Sequence, residues 1–203
     1  MSVKIAVTGG PSGGKTTLIE ALKKEFGQKL KIVPEAASIL YKGGFPRVKN
    51  YSGYLHAQKA ILSTQKEIED LTTDNHPGLL LVCDRGSLDS LAYWPDSEDH
   101  FFKTLGTTRE AELNRYTWLL HLDTALESDY DTTNMVRTEN FHEALLLNDK
   151  IKKSWDGHSQ RFIITASSDF FTKMRKATQI IEGILQGQSF TEIQSSLQTS
   201  TEF

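Results

Sequence analysis

Five short apolar segments recur along the chain, each separated from the next by a longer stretch with helical character. They span residues 3–8, 30–33, 79–83, 118–122 and 161–165. Because they are rich in Val, Ile and Leu and too short for helices, they are predicted to be buried β-strands. Strands that alternate with helices form parallel sheets covered on both faces. The pattern therefore predicts a three-layer α/β fold with a five-stranded parallel sheet.

The stretches between the strands predict the helices. In residues 16–26 the apolar positions Leu18, Ile19, Leu22 and Phe26 form one stripe, as a helix packed on a sheet requires. Further helices are predicted at 36–40, 54–71, 139–155, 169–185 and 190–197, with two or three short ones within 87–115. The polar stretch 123–136 has no apolar periodicity and predicts a loop.

The turn after the first predicted strand is a complete phosphate-binding motif. Residues 9–16 read Gly-Gly-Pro-Ser-Gly-Gly-Lys-Thr, which fits G-x-x-x-x-G-K-[ST] between a strand and a helix. Glycines let backbone N–H groups surround phosphates, and the start of the helix adds partial positive charge. Lys15 is expected to reach the β- and γ-phosphates and Thr16 to ligate Mg²⁺. The expected nucleotide contacts are Gly9, Gly10, Pro11, Ser12, Gly13, Gly14, Lys15, Thr16 and Thr17.

Composition narrows the class of protein. The chain has 203 residues, 38% hydrophobic content and a formal charge of −3, as expected for one globular domain over residues 1–203. No apolar run approaches membrane-spanning length, and no secretory signal is expected. The single cysteine, Cys83, excludes an internal disulfide and fits a reducing compartment, so the cytoplasm is the expected location. The mild acidity argues against a dedicated nucleic-acid binder.

An acidic residue follows the most apolar predicted strand. Residues 79–83 deliver Asp84 to the carboxyl edge of the sheet, where ligands bind in open α/β folds. A carboxylate there suits the Mg²⁺ shell opposite Thr16, as a Walker B acid does, and the alternative is a cap on the following helix. Two roles remain open for Arg85. It either contacts donor or acceptor phosphates, or forms an ion pair with Asp84 or Asp89.

Four segments together resemble a known family. They are residues 8–17 with the phosphate loop, 33–37 (Val-Pro-Glu-Ala-Ala), 83–94 with Asp-Arg-Gly, and 136–139 (Val-Arg-Thr-Glu). The chain resembles the predicted AAA-type ATPase/kinase domains of the P-loop NTPases, which are similar to nicotinamide-ribonucleoside kinase and, more distantly, to nucleoside and thymidylate kinases. The resemblance implies ATP and Mg²⁺ as cofactors. It also implies the strand order 2-3-1-4-5, with Asp84 beside the phosphate loop.

The resemblance implies two further catalytic groups. Glu35 follows the second strand, where such kinases have an acidic residue that contacts the acceptor hydroxyl and serves as its base; the alternative is an exposed carboxylate in the first turn of a helix. Arg137 lies where such kinases carry lid arginines, and a lid is expected over about 124–156. Because the interval between the fourth and fifth strands has no second arginine, an ordinary surface charge is the alternative. The expected catalytic residues are Lys15, Glu35, Asp84 and Arg137.

The acceptor side has aromatic and polar candidates. Aromatic residues concentrate within 41–54 and 93–94, where they either line a pocket for a planar substrate or form helix-packing core. The expected substrate contacts are Arg47, Arg85 and Asp89. Arg47 would suit an acceptor that already carries a phosphate.

These expectations point to one class of activity. They favour an ATP- and Mg²⁺-dependent phosphotransferase that acts on a small metabolite such as a nucleoside or nucleotide, as a monomer or homodimer. The alternative is an ATPase or switch protein without a small-molecule acceptor. A GTPase switch is disfavoured because residues 121–124 read His-Leu-Asp-Thr and not the Asn-Lys-x-Asp that reads guanine. The sequence is compatible with either ATP or GTP as donor.

Overall fold

A five-stranded parallel sheet forms the centre of the protein. The computed structural model describes residues 3–127, 140–166 and 170–199. The strands are β1 (Lys4–Thr8), β2 (Leu30–Val33), β3 (Leu80–Asp84), β4 (Trp118–Leu122) and β5 (Arg161–Ile164). They are arranged in the order β2-β3-β1-β4-β5, and every neighbouring pair is parallel. Both the parallel sheet and the strand order are therefore confirmed.

Helices occupy most of the chain between and after the strands. In the described ranges they are α1 (Lys15–Phe26), α2 (Ala36–Lys42), α3 (Tyr51–Asn75), α4 (Asp89–Ala92), α5 (Glu98–Leu105), α6 (Arg109–Asn114), α7 (Phe141–Ser154), α8 (Phe170–Leu185) and α9 (Phe190–Thr199). Within those ranges, no helix combines the length and the apolar character needed to cross a bilayer.

The sheet separates two hydrophobic cores. Alternating side chains of a strand point to opposite faces, so Val7 of β1 packs with α1, α8 and α9 while Ala6 packs with α3, α5 and α7. Leu18 and Ile180 are fully buried in the first core, and Phe101 is fully buried in the second. The three-layer architecture predicted from the sequence is therefore confirmed.

Two helix boundaries differ from the prediction because side chains cap them. α3 begins at Tyr51, three residues before the predicted start, since Asn50 accepts a hydrogen bond from the backbone N–H of Gly53 at 2.8 Å. α7 begins at Phe141, because Asn140 forms a capping box with a glutamate of the first turn.

The strand register brings the predicted acidic positions to one edge of the sheet. Val7 pairs with Asp84, and Thr8 pairs with His121. Glu35 follows the end of β2, which is the outer neighbour of β3. The carboxyl edge therefore presents, in spatial order, Glu35, Asp84, the phosphate loop and the end of β4.

Candidate functional site

The phosphate loop connects β1 to α1 and packs closely against the end of β4. A Cβ atom at Gly9 would lie 2.0 Å from the carbonyl oxygen of Leu122, and one at Gly10 would lie 2.1 Å from Thr124 Oγ1. The backbone φ of Gly9 is +128°, a conformation open to glycine and rarely to other residues. These two positions therefore require glycine for steric reasons, in addition to any contact with phosphate.

The start of α1 is arranged to receive an anion. Gly14 precedes the helix with a left-handed backbone, no side chain caps the N-terminus, and its first turn contains no acidic residue. The first N–H groups of a helix have no partner within it and carry partial positive charge. Thr16 is exposed to the cavity beside them. This geometry fits the phosphates of a nucleotide.

Lys15 is buried without a carboxylate partner among the described residues. Its Nζ donates to the carbonyl oxygens of Gly9 at 2.9 Å and Gly10 at 2.6 Å. Burial, assisted by the positive charge of Arg85, lowers the pKa of Lys15 to about 7. A phosphate beside Nζ would stabilise the charged form, so Lys15 suits the role predicted for it.

Arg85 connects the acidic positions to the phosphate loop. Its Nε lies 3.3 Å from Glu35 Oε1, and its Nη1 donates to the Gly9 carbonyl at 2.7 Å and to Asp89 Oδ2 at 3.2 Å. The sequence left Arg85 open between phosphate contact and ion pairing, and the structure shows ion pairs with Glu35 and Asp89. The backbone φ of Arg85 is +79°, an uncommon value for a non-glycine residue that often marks functional sites.

Glu35 and Asp84 experience different electrostatic environments. Burial, together with the nearby charge of Glu35, raises the pKa of Asp84 to about 6. Burial also acts on Glu35, but Arg85 and a hydrogen bond from the Ser38 hydroxyl outweigh it and hold the pKa of Glu35 below its ordinary value. Glu35 is therefore ionised at neutral pH and able to accept a hydrogen bond from a substrate hydroxyl. Asp84 is a carboxylate that a bound cation would stabilise.

Asp89 lies behind the site. Its side chain accepts hydrogen bonds from Thr8 Oγ1 at 2.5 Å and Trp155 Nε1 at 2.7 Å, besides the contact with Arg85. The residue is 4% exposed and does not line the cavity beside the phosphate loop. Asp89 therefore holds Arg85 in place, and direct substrate contact by Asp89 stays a prediction.

A cavity of about 610 Å³ opens beside the phosphate loop. Its lining includes residues 11–17 of the loop, Ala125 and the start of α8 at one end, and parts of α2 and α3 at the other. Glu35, Asp84 and Arg85 also line it, whereas Gly9 and Gly10 of the loop do not, so a nucleotide contact by these two glycines stays a prediction. The volume falls within the range of roughly 300–1,000 Å³ that is typical of small-molecule sites.

The aromatic residues that the sequence left open divide between cavity and core. Tyr41, Tyr54 and Tyr93 line the cavity. Trp94 is 8% exposed and packs edge-on against Phe101 in the core. Each interpretation therefore applies to some of these residues, whereas Tyr51 is half exposed and belongs to neither the cavity lining nor the core; a planar substrate in the cavity stays a prediction.

Arg47 lies on the cavity wall, as predicted for a substrate contact. Its guanidinium is 4.2 Å from the centre of the Tyr41 ring, and Lys49 lines the same end. Both cations are exposed, so a ligand could reach them without displacing a protein carboxylate.

Gln58 is a cavity residue that the sequence interpretation missed. It is 5% exposed, it lines the cavity from α3, and its amide has no hydrogen-bond partner among the described residues. Its amide atoms are not among the fully buried, unpaired polar atoms of the described residues, so they are open to the cavity, where water or a ligand can hydrogen-bond to them. The available signal was that Gln58, Leu62, Gln65 and Glu69 follow heptad spacing, so that polar residues occupy the buried stripe of a helix.

Lys173 is a second missed residue. It is 4% exposed and lines the cavity from the first turn of α8. The signal was again a charged residue on an apolar stripe, since Lys173 shares its spacing with the buried Ala177, Ile180 and Ile181.

The metal prediction rests on Thr16 and Asp84, which line the same cavity. In the described ranges, no group of three or more His, Cys, Asp or Glu side chains is arranged to hold a metal ion by itself. Mg²⁺ that accompanies a nucleotide needs few protein ligands, because phosphates and water supply most of its oxygens. One hydroxyl and one carboxylate that line the same cavity therefore fit such an ion.

The predicted lid is described in part. Arg137 falls outside the described residues. The second half of the predicted segment is α7, in which Asn148 and Ile151 are buried. Asn148 Oδ1 accepts a hydrogen bond from the backbone N–H of Gly10 at 2.9 Å, so α7 is tied to the phosphate loop.

Comparisons with known proteins agree with this geometry. A family model described as an AAA domain matches residues 4–173. No curated protein sequence matches the chain. Among solved structures, deoxyadenosine kinase from M. mycoides with bound dATP has a TM-score of 0.61 and 13% identity over 89% of this chain and 100% of that chain. Thymidylate kinase from Candida albicans has a TM-score of 0.56 and 14% identity over 89% of this chain and 91% of that chain.

At such identities the two kinases show a shared fold. The family model goes further, because it covers most of the chain, from β1 to the first turn of α8. The chain therefore belongs to the AAA domain family of P-loop NTPases.

Proposed function

We propose that this protein is an ATP- and Mg²⁺-dependent phosphotransferase whose acceptor is a nucleoside, a nucleotide or a related small metabolite. The observation that carries the proposal is the cavity, which has the phosphate loop at one end and Tyr41, Tyr54 and Gln58 at the other. An ATPase or switch protein transfers phosphate to water, so it does not need a binding site for an acceptor at the end of the cavity away from the phosphate loop. The named activities of the two similar kinases support the same acceptor class.

The order of groups along the sheet edge assigns each residue a role. Lys15 and the start of α1 hold the phosphates, and Thr16 and Asp84 would hold Mg²⁺, which supplies charge neutralisation for phosphoryl transfer. Glu35 lies on the far side of Asp84 from the loop, where it accepts a hydrogen bond, and then the proton, from the acceptor hydroxyl. Arg85 keeps Glu35 ionised and in place. Arg137 stays a prediction as the lid cation.

The acceptor end suits a planar ligand with a polar edge. Tyrosine rings offer flat apolar surface, and the Gln58 amide offers one acceptor and two donor hydrogens. A nucleobase has complementary donor and acceptor atoms on its edge. Gln58 is therefore proposed to bind the base of the acceptor.

Replacing Gln58 with leucine is expected to raise the KM for the acceptor by about tenfold, because a hydrogen-bonded edge is lost. The KM for ATP is expected to stay unchanged. No hydrogen bond to a described residue is lost with this amide, so the Tm of the free protein should stay unchanged. Steady-state kinetics and thermal unfolding measure these three quantities.

Gln65, which lies on the same buried face of α3 as Gln58, provides the matched control. Its amide hydrogen-bonds to the backbone of Ala36 at 3.3 Å and to Glu69 at 3.1 Å, so Gln65→Leu is expected to lower the Tm. An unchanged acceptor KM in Gln58→Leu would remove Gln58 from acceptor binding.

The function itself is tested by measuring ADP production from ATP and Mg²⁺, alone and with a panel of nucleosides, nucleotides and oligonucleotide ends. Stimulation by a nucleoside or nucleotide, with a phosphorylated product, is the expected result. Turnover that no acceptor changes would overturn the proposal in favour of an ATPase. Stimulation by oligonucleotide ends alone would indicate a polynucleotide kinase.

A further inference from the structure

Two buried lysines line the cavity, and they share an unusual environment. Lys15 and Lys173 are 9% and 4% exposed. Neither has a carboxylate within ion-pair distance in the described part of the chain, and both donate to backbone carbonyls. Burial lowers the pKa of both. Lys15 has this environment because its partner is a phosphate supplied by the ligand, and the same explanation extends to Lys173.

The charge of Asp123 offsets the burial of Lys173 only in part, because burial still lowers the pKa of Lys173 to about 8. Lys173 Nζ donates to the backbone carbonyl of Asp123. The carboxylate of Asp123 is already engaged, since its Oδ1 lies 2.8 Å from Lys152 Nζ, accepts from Asn148 Nδ2 at 2.8 Å and lies 3.2 Å from His121 Nε2. A buried ammonium group makes three hydrogen bonds when satisfied, and an uncompensated buried charge is costly. The cavity is where the missing anion can bind.

The position of Lys173 indicates which phosphate it meets. The γ-phosphate must face Asp84 and Glu35, on the side of the loop toward β3 and β2. Lys173 lies at the opposite end with Ala125, and the side chains next to it in α8 approach the start of α1: a Cβ atom at Gly14 would lie 3.0 Å from Phe170 and Met174. The nucleoside end of the phosphate chain therefore points toward α8.

We infer that Lys173 is a second phosphate-binding lysine, which contacts the donor near its α-phosphate. This inference rests on the proposed function in requiring a nucleoside triphosphate at the phosphate loop with its γ-phosphate toward Asp84 and Glu35. The α-phosphate is not transferred, so its contact has similar strength in the ground state and the transition state. Lys173 therefore contributes to donor affinity and not to the rate of the chemical step.

The test compares wild-type protein with Lys173→Met by calorimetric titration with Mg²⁺–ATP and with Mg²⁺–tripolyphosphate. Both ligands are expected to bind about tenfold more weakly to the variant, because one charge-assisted hydrogen bond is lost. The KM for ATP should rise by the same factor with kcat retained. The Tm of the ligand-free variant should equal or exceed that of wild type, because a buried uncompensated charge is gone.

Two further variants make the outcome decisive. Lys173→Gln keeps a donor for the Asp123 carbonyl without the charge, so it should bind as weakly as Lys173→Met; it also serves if the methionine variant does not fold. Lys176→Met, one helical turn along and outside the cavity lining, should bind as wild type does.

Unchanged ATP affinity in a folded Lys173 variant, or weakened binding of ATP but not tripolyphosphate, would overturn the inference. A lower Tm with unchanged affinity would make Lys173 a structural residue. If wild-type protein binds ATP but acceptors do not stimulate turnover, the proposed function fails while this inference stands. If wild-type protein binds neither ligand, both fail.

Discussion

Replacing Lys15 with methionine is expected to reduce turnover by about 10²–10³-fold, the range seen when a preorganised charge-stabilising group is removed. Methionine retains the length of the side chain, but it has no positive charge to stabilise the negative charge that develops on the β–γ bridging oxygen during transfer. Its volume fits the same buried channel, so the variant should remain folded. Initial rates of ADP formation at saturating ATP and acceptor measure the effect.

The control for this variant lies on the same helix. Lys24 is on the exposed face of α1, and Lys24→Met is expected to leave turnover within about twofold of wild type. Turnover of Lys15→Met above about a tenth of the wild-type value would contradict the assignment of Lys15 to the phosphates.

The pKa of Lys15 also predicts how the affinity for nucleotide depends on pH. Its pKa in the free protein is lowered to about 7 by burial and by Arg85, and Asp84, Asp89 and Glu35 face it with the opposite effect. Below that pH the ammonium is charged and ready for phosphate, and above it a proton must be taken up on binding. Wild-type affinity for ATP should therefore fall as pH rises from 6.5 to 8.5. Calorimetry should show a smaller fall in Lys15→Met, where the remaining pH dependence comes from Lys173, whose pKa burial lowers to about 8.

Replacing Asp84 with asparagine is expected to lower turnover by about 10²-fold or more and to raise the Mg²⁺ concentration needed for half-maximal rate. The amide retains the shape of the side chain and one coordinating oxygen, but it removes the negative charge that holds the cation opposite Thr16. A Mg²⁺ titration of the initial rate separates this effect from lost nucleotide binding. Retention of wild-type Mg²⁺ dependence would return Asp84 to a capping role.

The same substitution should stabilise the free protein at neutral pH. Burial and Glu35 raise the pKa of Asp84 to about 6, from an ordinary value of 3.8, so folding favours the protonated form. The contribution of this group to the free energy of unfolding therefore falls as pH rises from about 4 to 6 and stays low above that. Asp84→Asn should raise the Tm more at pH 7.5 than at pH 4.

Asp74 provides the control for the stability measurement, because it lies exposed near the end of α3. Asp74→Asn is expected to change the Tm little at either pH. An equal rise in Tm for Asp84→Asn at both pH values would show that the carboxylate at position 84 is not held in an unfavourable environment.

Local patterns were sufficient for the elements and for the donor end of the site. The loop at 9–16 is identifiable because the steric limit at Gly9 and the phosphate contact predicted for Lys15 fall within one short segment of the chain. Asp84 could be assigned to the sheet edge because it ends an apolar strand. Helix limits were less accurate where a side chain such as Asn50 or Asn140 caps the helix outside its apolar stripe.

The pairing of Arg85 with Glu35 was beyond sequence interpretation, whereas Asp89 was one of the two ion-pair partners that the sequence suggested. Glu35 and Asp89 both meet its guanidinium, although Glu35 is fifty residues away in the chain. The spatial order of β2, β3 and β1 decides this meeting, and spacing alone does not encode the order. Without that ion pair, Glu35 would be an ordinary carboxylate at the start of a helix.

The sequence by itself determined the strands, most helices and the phosphate loop, because each depends on neighbouring residues and a fixed period. Only the tertiary structure decided that Gln58 and Lys173 face the cavity, since both lie on buried helical stripes where a polar residue is equally compatible with a satisfied internal hydrogen bond. Whether such a group is satisfied depends on atoms from distant segments. The phosphate-loop end of the cavity is thus predictable from local sequence, whereas the end proposed to bind the acceptor is created by packing α2, α3 and the segment after β3 against one edge of the sheet.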